Sequence, residues 1–143
     1  MKSVCKKIEG DKELIPIDKY IGRGQTILVV DDVKEQREIA ANLLSKLNYS
    51  VTTASNGEEA IEYIKNNNGD LLMSDMIMDP GIDGLETYKR ITKLNPKQKA
   101  IIASGFSETE RVKEAQRLGA GQYVKKPYTL EKIGIAVRDE LRK

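Results

Sequence analysis

Asp31-Asp32, Asp75, Ser104 and Lys126 are the residues whose types could together handle a phosphoryl group. Each lies at the end of an apolar run. Ile27-Leu28-Val29-Val30 runs into Asp31-Asp32, Leu71-Leu72-Met73-Ser74 into Asp75, Ile101-Ile102-Ala103 into Ser104, and Tyr123-Val124-Lys125 into Lys126-Pro127. In an open parallel α/β sheet the ligand site lies just beyond the carboxyl ends of the strands, so these polar ends would converge. The result is a pocket of three carboxylates, one hydroxyl and one ammonium. Clustered carboxylates suit a hard divalent cation, and Mg²⁺ takes oxygen ligands, keeps several waters and uses one or two carboxylates with phosphate oxygens. Asp31, Asp32 and Asp75 fit that donor set. Without a cation their mutual repulsion raises at least one pKa. Asp75 stands singly at the end of the most buried run, which makes it the candidate nucleophile. A carboxylate accepts a phosphoryl group as an acyl phosphate while a metal neutralises the charge developing on the transferring oxygens. Lys126 would bring a second positive charge to those oxygens and Ser104 a hydrogen bond.

Taken singly, each residue has a plainer reading. Asp-Asp after a strand is often only a helix N-cap. Ser104 reads equally as a cap or turn residue, Lys126 as a surface charge before a proline, and Tyr123 as a core aromatic. Joint placement at the strand ends of one sheet is what favours a shared site. Gly22-Arg23-Gly24 has the composition of a phosphate cradle but precedes the first strand instead of joining a strand to a helix, which puts it on the wrong side of the sheet.

The chain has 143 residues, enough for one well-buried domain and too few for two ordinary ones. Twenty-four Lys and Arg against 22 Asp and Glu leave a formal charge of +2, which gives no electrostatic case for nucleic acid or an anionic membrane. The chain has no histidine, so Ser-His-Asp and Cys-His nucleophile systems, His-ligated zinc and a histidine phosphocarrier role are all excluded. Cys5 is the single cysteine and points to a reducing compartment. Glu9, Asp11 and Glu13 fall where a signal peptide needs its apolar stretch, and no apolar segment approaches membrane-spanning length. The expected location is the cytoplasm, without membrane insertion.

Residues 1–24 read as a tail or linker, rich in charge and closed by Gly22-Arg23-Gly24; residues 25–143 alternate β-type runs with amphipathic stretches, the pattern of repeated βα units and a parallel sheet. Strands are expected at Thr26–Val30, Tyr49–Ala54, Asp70–Asp75 and Ala100–Ala103, with a fifth ending at Lys126. The helices between them should bury Ile39, Leu43, Leu44 and Leu47; Ala60, Ile61 and Ile64; Leu85, Tyr88, Ile91 and Leu94; Val112, Ala115 and Leu118; and Leu130, Ile133, Val137 and Leu141. Ser107 with Glu110 forms a capping box for the fourth helix.

With these elements in place, residues 25–143 resemble the receiver domain of two-component response regulators. The resemblance rests on Ile27-Leu28-Val29-Val30-Asp31-Asp32, on Asp75, on Asp83-Gly84 beyond it, on Ser104-Gly105 and on Lys126-Pro127. It implies a flavodoxin-like (βα)5 fold, a doubly wound parallel five-stranded sheet of order 2-1-3-4-5. It further implies Mg²⁺ held by Asp32, Asp75 and the backbone carbonyl of Ile77, with Asp31 acting through water. Asp75 would be the phosphoacceptor, and Tyr123 would turn inward as Ser104 moves toward the phosphoryl group. That movement would switch the protein-binding face of the fourth helix, fifth strand and fifth helix. The implied donor is a phosphohistidine on a sensor histidine kinase or histidine phosphotransfer protein, and a phosphorylation-dependent homodimer is left open. Such a domain is a signalling module that catalyses only its own phosphorylation and dephosphorylation. Lys126-Pro127 resembles the family's cis peptide, which aims the ammonium into the site.

Gly22-Arg23-Gly24-Gln25-Thr26 resembles the linker before the C-terminal receiver of hybrid sensor histidine kinases, and a free-standing regulator is the alternative. The segment Asp75 to Gly84 carries one residue more than the family usually has, with Asp79 as an extra acid, and Ser104 replaces the commoner threonine. Ile77 and Phe106 stand where the family tunes dephosphorylation; both are apolar, so water should be poorly positioned and the phosphoryl group long-lived. An aspartate-nucleophile phosphatase of the haloacid-dehalogenase type would want a second acid two residues beyond Asp75, where Ile77 stands instead. A scaffold that never accepts phosphate is the third reading, against which the complete acid, hydroxyl and lysine set speaks.

Overall fold

The computed structural model describes residues 16–67, 69–78, 81–105 and 110–143. Five strands, β1 (Thr26–Val30), β2 (Ser50–Ala54), β3 (Leu71–Asp75), β4 (Ala100–Ser104) and β5 (Tyr123–Lys125), alternate with five helices. These are α1 (Lys34–Lys46), α2 (Gly57–Asn66), α3 (Gly84–Leu94), α4 (Glu110–Arg117) and α5 (Leu130–Leu141). All strand pairs are parallel and the order is β2-β1-β3-β4-β5, the flavodoxin-like arrangement expected from the sequence.

Branched aliphatics fill β1, β3 and β4 without alternation because both faces of a parallel sheet are covered. Successive side chains still point to opposite sides. Leu28, Val30, Leu72 and Ile102 enter a core with α2, α3 and α4, while Ile27, Val29, Leu71, Met73 and Ile101 enter a second core with α1 and α5. The edge strand β2 is only partly covered, in keeping with its Thr52-Thr53 content.

Helix starts follow local chemistry. Asn56 caps α2 by accepting from Glu59 N at 2.8 Å, Asp83 caps α3 by accepting from Glu86 N at 2.9 Å, and Thr129 caps α5 by accepting from Lys132 N at 3.1 Å. The proposed Ser107 cap of α4 lies outside the described residues, as do Cys5, Asp79 and Phe106.

Three side chains expected in the core are exposed instead: Ile39 at 44%, Leu94 at 48% and Leu118 at 47%. The buried stripe of α1 runs through Ala40, Leu44 and Leu47, and Ile39 lies one residue, about 100° of helix, off its centre. Leu94 and Leu118 sit where α3 and α4 end, beyond the reach of the sheet.

Residues 16–24, the described part of the segment read as tail or linker, lie against the body. Ile17–Lys19 form one turn of 3₁₀ helix, and Tyr20 is 5% exposed within the α1/α5 core. Its ring occupies the space beside Gly134, where a Cβ would clash with it. That contact explains a glycine inside α5, which otherwise lowers helix stability by about 1 kcal/mol relative to alanine. Gly22 N and Gly24 N donate to Leu47 O at 2.6 Å and Asn48 O at 2.8 Å, which fastens the segment to the α1–β2 turn.

Candidate functional site

The four runs singled out in the sequence end together at one edge of the sheet. At the end of β1 every polar atom of Asp31 is engaged. Its N–H donates to Ala54 O at 3.2 Å, its carbonyl accepts from Arg37 Nη1 at 2.8 Å, and its Oδ1 accepts from Val33 N at 3.0 Å. Oδ2 is left facing the pocket, where it accepts from Lys126 Nζ at 2.6 Å. The N-cap of α1 is Val33, with no side-chain cap bond, so the acidic pair is not spent on capping the helix.

Asp75 ends β3 and is 8% exposed. Its Oδ1 lies 3.1 Å from Lys126 Nζ. Gly84 opens α3 directly against it: a Cβ there would sit 2.5 Å from the Asp75 carbonyl oxygen. The Asp83-Gly84 pair thus does two jobs. Asp83 caps the helix, and the missing side chain at 84 lets the helix start touch the strand end.

Ser104 ends β4, is 2% exposed and pairs with Lys125 in register. Its carbonyl accepts from Lys126 N at 2.8 Å, and Lys126-Pro127 is a cis peptide, as the resemblance implies. Tyr123 pairs with Ile102, two residues before Ser104, so Tyr123 and Ser104 lie on the same face of the sheet, toward α4. The Ile77 side chain, just past β3, is 52% exposed.

Asp31, Asp32 and Asp75 each offer an oxygen, all within 4.8 Å of one another. An octahedral Mg²⁺ with ligands at about 2.1 Å spans about 3.0 Å between adjacent oxygens and about 4.2 Å between opposite ones. The three carboxylates therefore reach one such ion with a small contraction or with a bridging water on one of them, and the donor set fits. Three carboxylates against one ammonium leave the ionised pocket at −3 + 1 = −2.

Burial pushes the Asp75 carboxyl up to about 6; Lys126 opposes this, and the Asp31 and Asp32 charges reinforce it. Burial alone would lower the Lys126 pKa, but its hydrogen bond to Asp31 and the Asp75 charge outweigh that and hold it above the usual lysine value. Its ammonium is therefore permanent at neutral pH.

Three neighbours were not singled out in the sequence. Arg37, the fourth residue of α1, holds the Asp31 carbonyl from Nη1 at 2.8 Å. Arg111 on α4 bridges to Asp83, an ion pair across 28 residues that no local spacing announces. Tyr128 follows the lysine-proline pair; burial, then the charges of Asp31 and Asp75, push its phenol upward. Its place directly after Lys126-Pro127 was the available signal.

Comparison with known proteins agrees with this geometry. The family profile "Response regulator receiver domain" matches residues 27–138. Sporulation initiation phosphotransferase F of Bacillus subtilis is 31% identical over 117 residues, 82% of this chain and 94% of that protein. A cyclic di-GMP phosphodiesterase of Thermotoga maritima is 32% identical over 117 residues, but the chain spans only 31% of its length. Among solved structures, response regulator protein TrrA of Thermotoga maritima, in complex with Mg²⁺ and BeF, superposes with a TM-score of 0.72 at 33% identity, covering 80% of this chain and 97% of that one. With its sheet order, its strand-end acids and these relatives, the chain belongs to the response regulator receiver domain family.

Proposed function

We propose that Asp75 accepts a phosphoryl group from a phosphohistidine on a partner protein, a sensor histidine kinase or a histidine phosphotransfer protein. The chain has no histidine, so the donor belongs to another protein or another domain. The observation that carries the reading is the meeting of Asp75, Asp31, Asp32 and Lys126 in one partly closed pocket. In the transfer an Asp75 carboxylate oxygen bonds to phosphorus as the N–P bond of the donor breaks, and the electron pair returns to the imidazole nitrogen. Ionised Asp75 is the competent form, and its pKa near 6 leaves it mostly ionised at pH 7.

Asp31, Asp32 and Asp75, with the Ile77 carbonyl, are the groups that would hold Mg²⁺. That ion supplies charge neutralisation on the phosphoryl oxygens, which two net negative charges in the pocket otherwise repel. Lys126 supplies the second cation. To reach a phosphoryl oxygen its ammonium must loosen from Asp31 or Asp75, each of which it now contacts. Ser104, buried at the end of β4, donates its hydroxyl to another oxygen, and Tyr123, on the same face of the sheet, follows it inward. That movement carries the signal toward α4, β5 and α5.

The chain acts in this reading as a signalling module, not as an enzyme on a separate substrate. Among the described residues no helix is long and apolar enough to cross a membrane. Intact mass after incubation with acetyl phosphate tests the proposal: one added phosphoryl group that requires both Mg²⁺ and Asp75 is expected. The absence of an adduct on the folded protein would favour a scaffold that never accepts phosphate.

A further inference from the structure

At the opposite end of the sheet, a cavity of about 420 Å³ opens between the docked segment 16–24 and the last turns of α5. One wall carries Lys19 and Arg23, the other Arg138 and Arg142, with Tyr49 between them. Asp18 is the acid in the lining. Arg138 is ion-paired to the neighbouring Asp139 and donates from Nη1 to the Lys19 carbonyl at 3.2 Å, which ties the two walls together. Lys19, Arg23 and Arg142 form no ion pair among the described residues.

Cations near the end of a helix commonly complement its negative pole. That role is already filled here, since Lys99 Nζ donates to the Leu141 carbonyl at 2.7 Å. It also fails to account for Lys19 and Arg23, which belong to the other wall. Closing segment 16–24 onto α5 therefore brings like charges together across a cleft, which opposes the very docking that Tyr20 and the Gly22 and Gly24 hydrogen bonds enforce. An adjoining concavity that shares Gln25 and Leu141 adds Lys97 and Lys99 against one acid, Asp70, a further net charge of one positive unit at the base of the sheet.

We propose that this cleft binds a small phosphoanion, a pyrophosphate or phosphate-ester group, bridging Lys19 and Arg23 to Arg142. Guanidinium groups present paired N–H donors that match phosphate oxygens, and convergence of cations from two walls is what a multivalent anion rewards. The cavity has the size of a small-molecule site. Such a ligand would hold segment 16–24 on α5 more tightly and so couple the chain that leads into the domain to its last helix. The inference does not depend on phosphate acceptance at Asp75, which lies at the other end of the strands.

Calorimetric titration of the full chain with inorganic pyrophosphate, in metal-depleted buffer, tests it. Without a divalent cation the net negative pocket at Asp75 repels the probe, so binding there does not confuse the result. Saturable one-to-one binding is expected, weakened about tenfold or more by Arg23→Ala combined with Arg142→Ala. Lys113→Ala combined with Arg117→Ala, which removes the same charge from α4, should leave it unchanged. The proposal is overturned if pyrophosphate does not bind, if both double variants weaken it alike, or if a hexaglutamate peptide binds equally well. The last two results would mean a diffuse cationic surface.

Discussion

Replacing Asp75 by asparagine should make the metal-free protein more stable at neutral pH. Burial and the two neighbouring carboxylates raise Asp75 from the ordinary carboxylate value to about 6, despite Lys126. A group whose pKa is higher in the folded state favours folding in its protonated form. That advantage is complete below about pH 4 and lost as pH rises through about 6. Two units of pKa correspond to about 3 kcal/mol at most, and solvent reaching the open side of the pocket reduces this to about 1–2 kcal/mol. Asparagine keeps the neutral shape at every pH, and Lys126 keeps Asp31 as its partner at 2.6 Å. Urea unfolding in chelator should therefore show Asp75→Asn ahead of wild type by about 1–2 kcal/mol at pH 7.5, with the gap closing toward pH 4.5. Adding Mg²⁺ should stabilise wild type more than the variant and narrow the gap at pH 7.5. A variant no more stable than wild type at pH 7.5, or a gap that does not change with pH, would mean that the buried Asp75 charge does not oppose folding.

Other outcomes follow from the same contacts. Tyr20→Ala should lower stability by about 3 kcal/mol in urea unfolding, the usual scale for emptying a buried aromatic site; a change under about 0.5 kcal/mol, the range of ordinary surface substitutions, would mean that segment 16–24 is not held. Gly84→Ala should slow acceptance from acetyl phosphate, because its Cβ would press on the Asp75 carbonyl 2.5 Å away and displace the strand end; a wild-type rate would show that the loop absorbs the methyl without moving Asp75. The acyl phosphate should persist well beyond seconds, since the exposed Ile77 side chain offers no polar group to orient an attacking water; decay within seconds in purified protein would contradict this.

Much of the architecture was legible because two signals coincide. The unbroken apolar runs of β1, β3 and β4 mark strands covered on both faces, and each carries its chemical group at the carboxyl end. Strand boundaries shift by one residue at Tyr49, Asp70, Ser104 and Lys126, within the ordinary spread at element ends. Helix-facing residues were less secure: periodicity finds the stripe, but Ile39, Leu94 and Leu118 lie at its margin or past the end of the helix, where nothing covers them. Side-chain contacts between distant segments outside the strand ends carried little sequence signal. Asp83 with Arg111, Arg37 with the Asp31 carbonyl, and Tyr20 beside Gly134 depend on how helices settle on the sheet. Tyr20 was hidden by the charged residues before it, although the glycine inside α5 was a clue that something must approach that helix closely.

Trapping the phosphorylated residue decides whether Asp75 is the acceptor. Treating the acetyl phosphate product with borohydride reduces an aspartyl phosphate to homoserine, and peptide mass mapping then reads the position. Conversion is expected at Asp75 alone and only when Mg²⁺ was present. Conversion at Asp31 or Asp32, or uptake of phosphate with Asp75 unaltered, would contradict it.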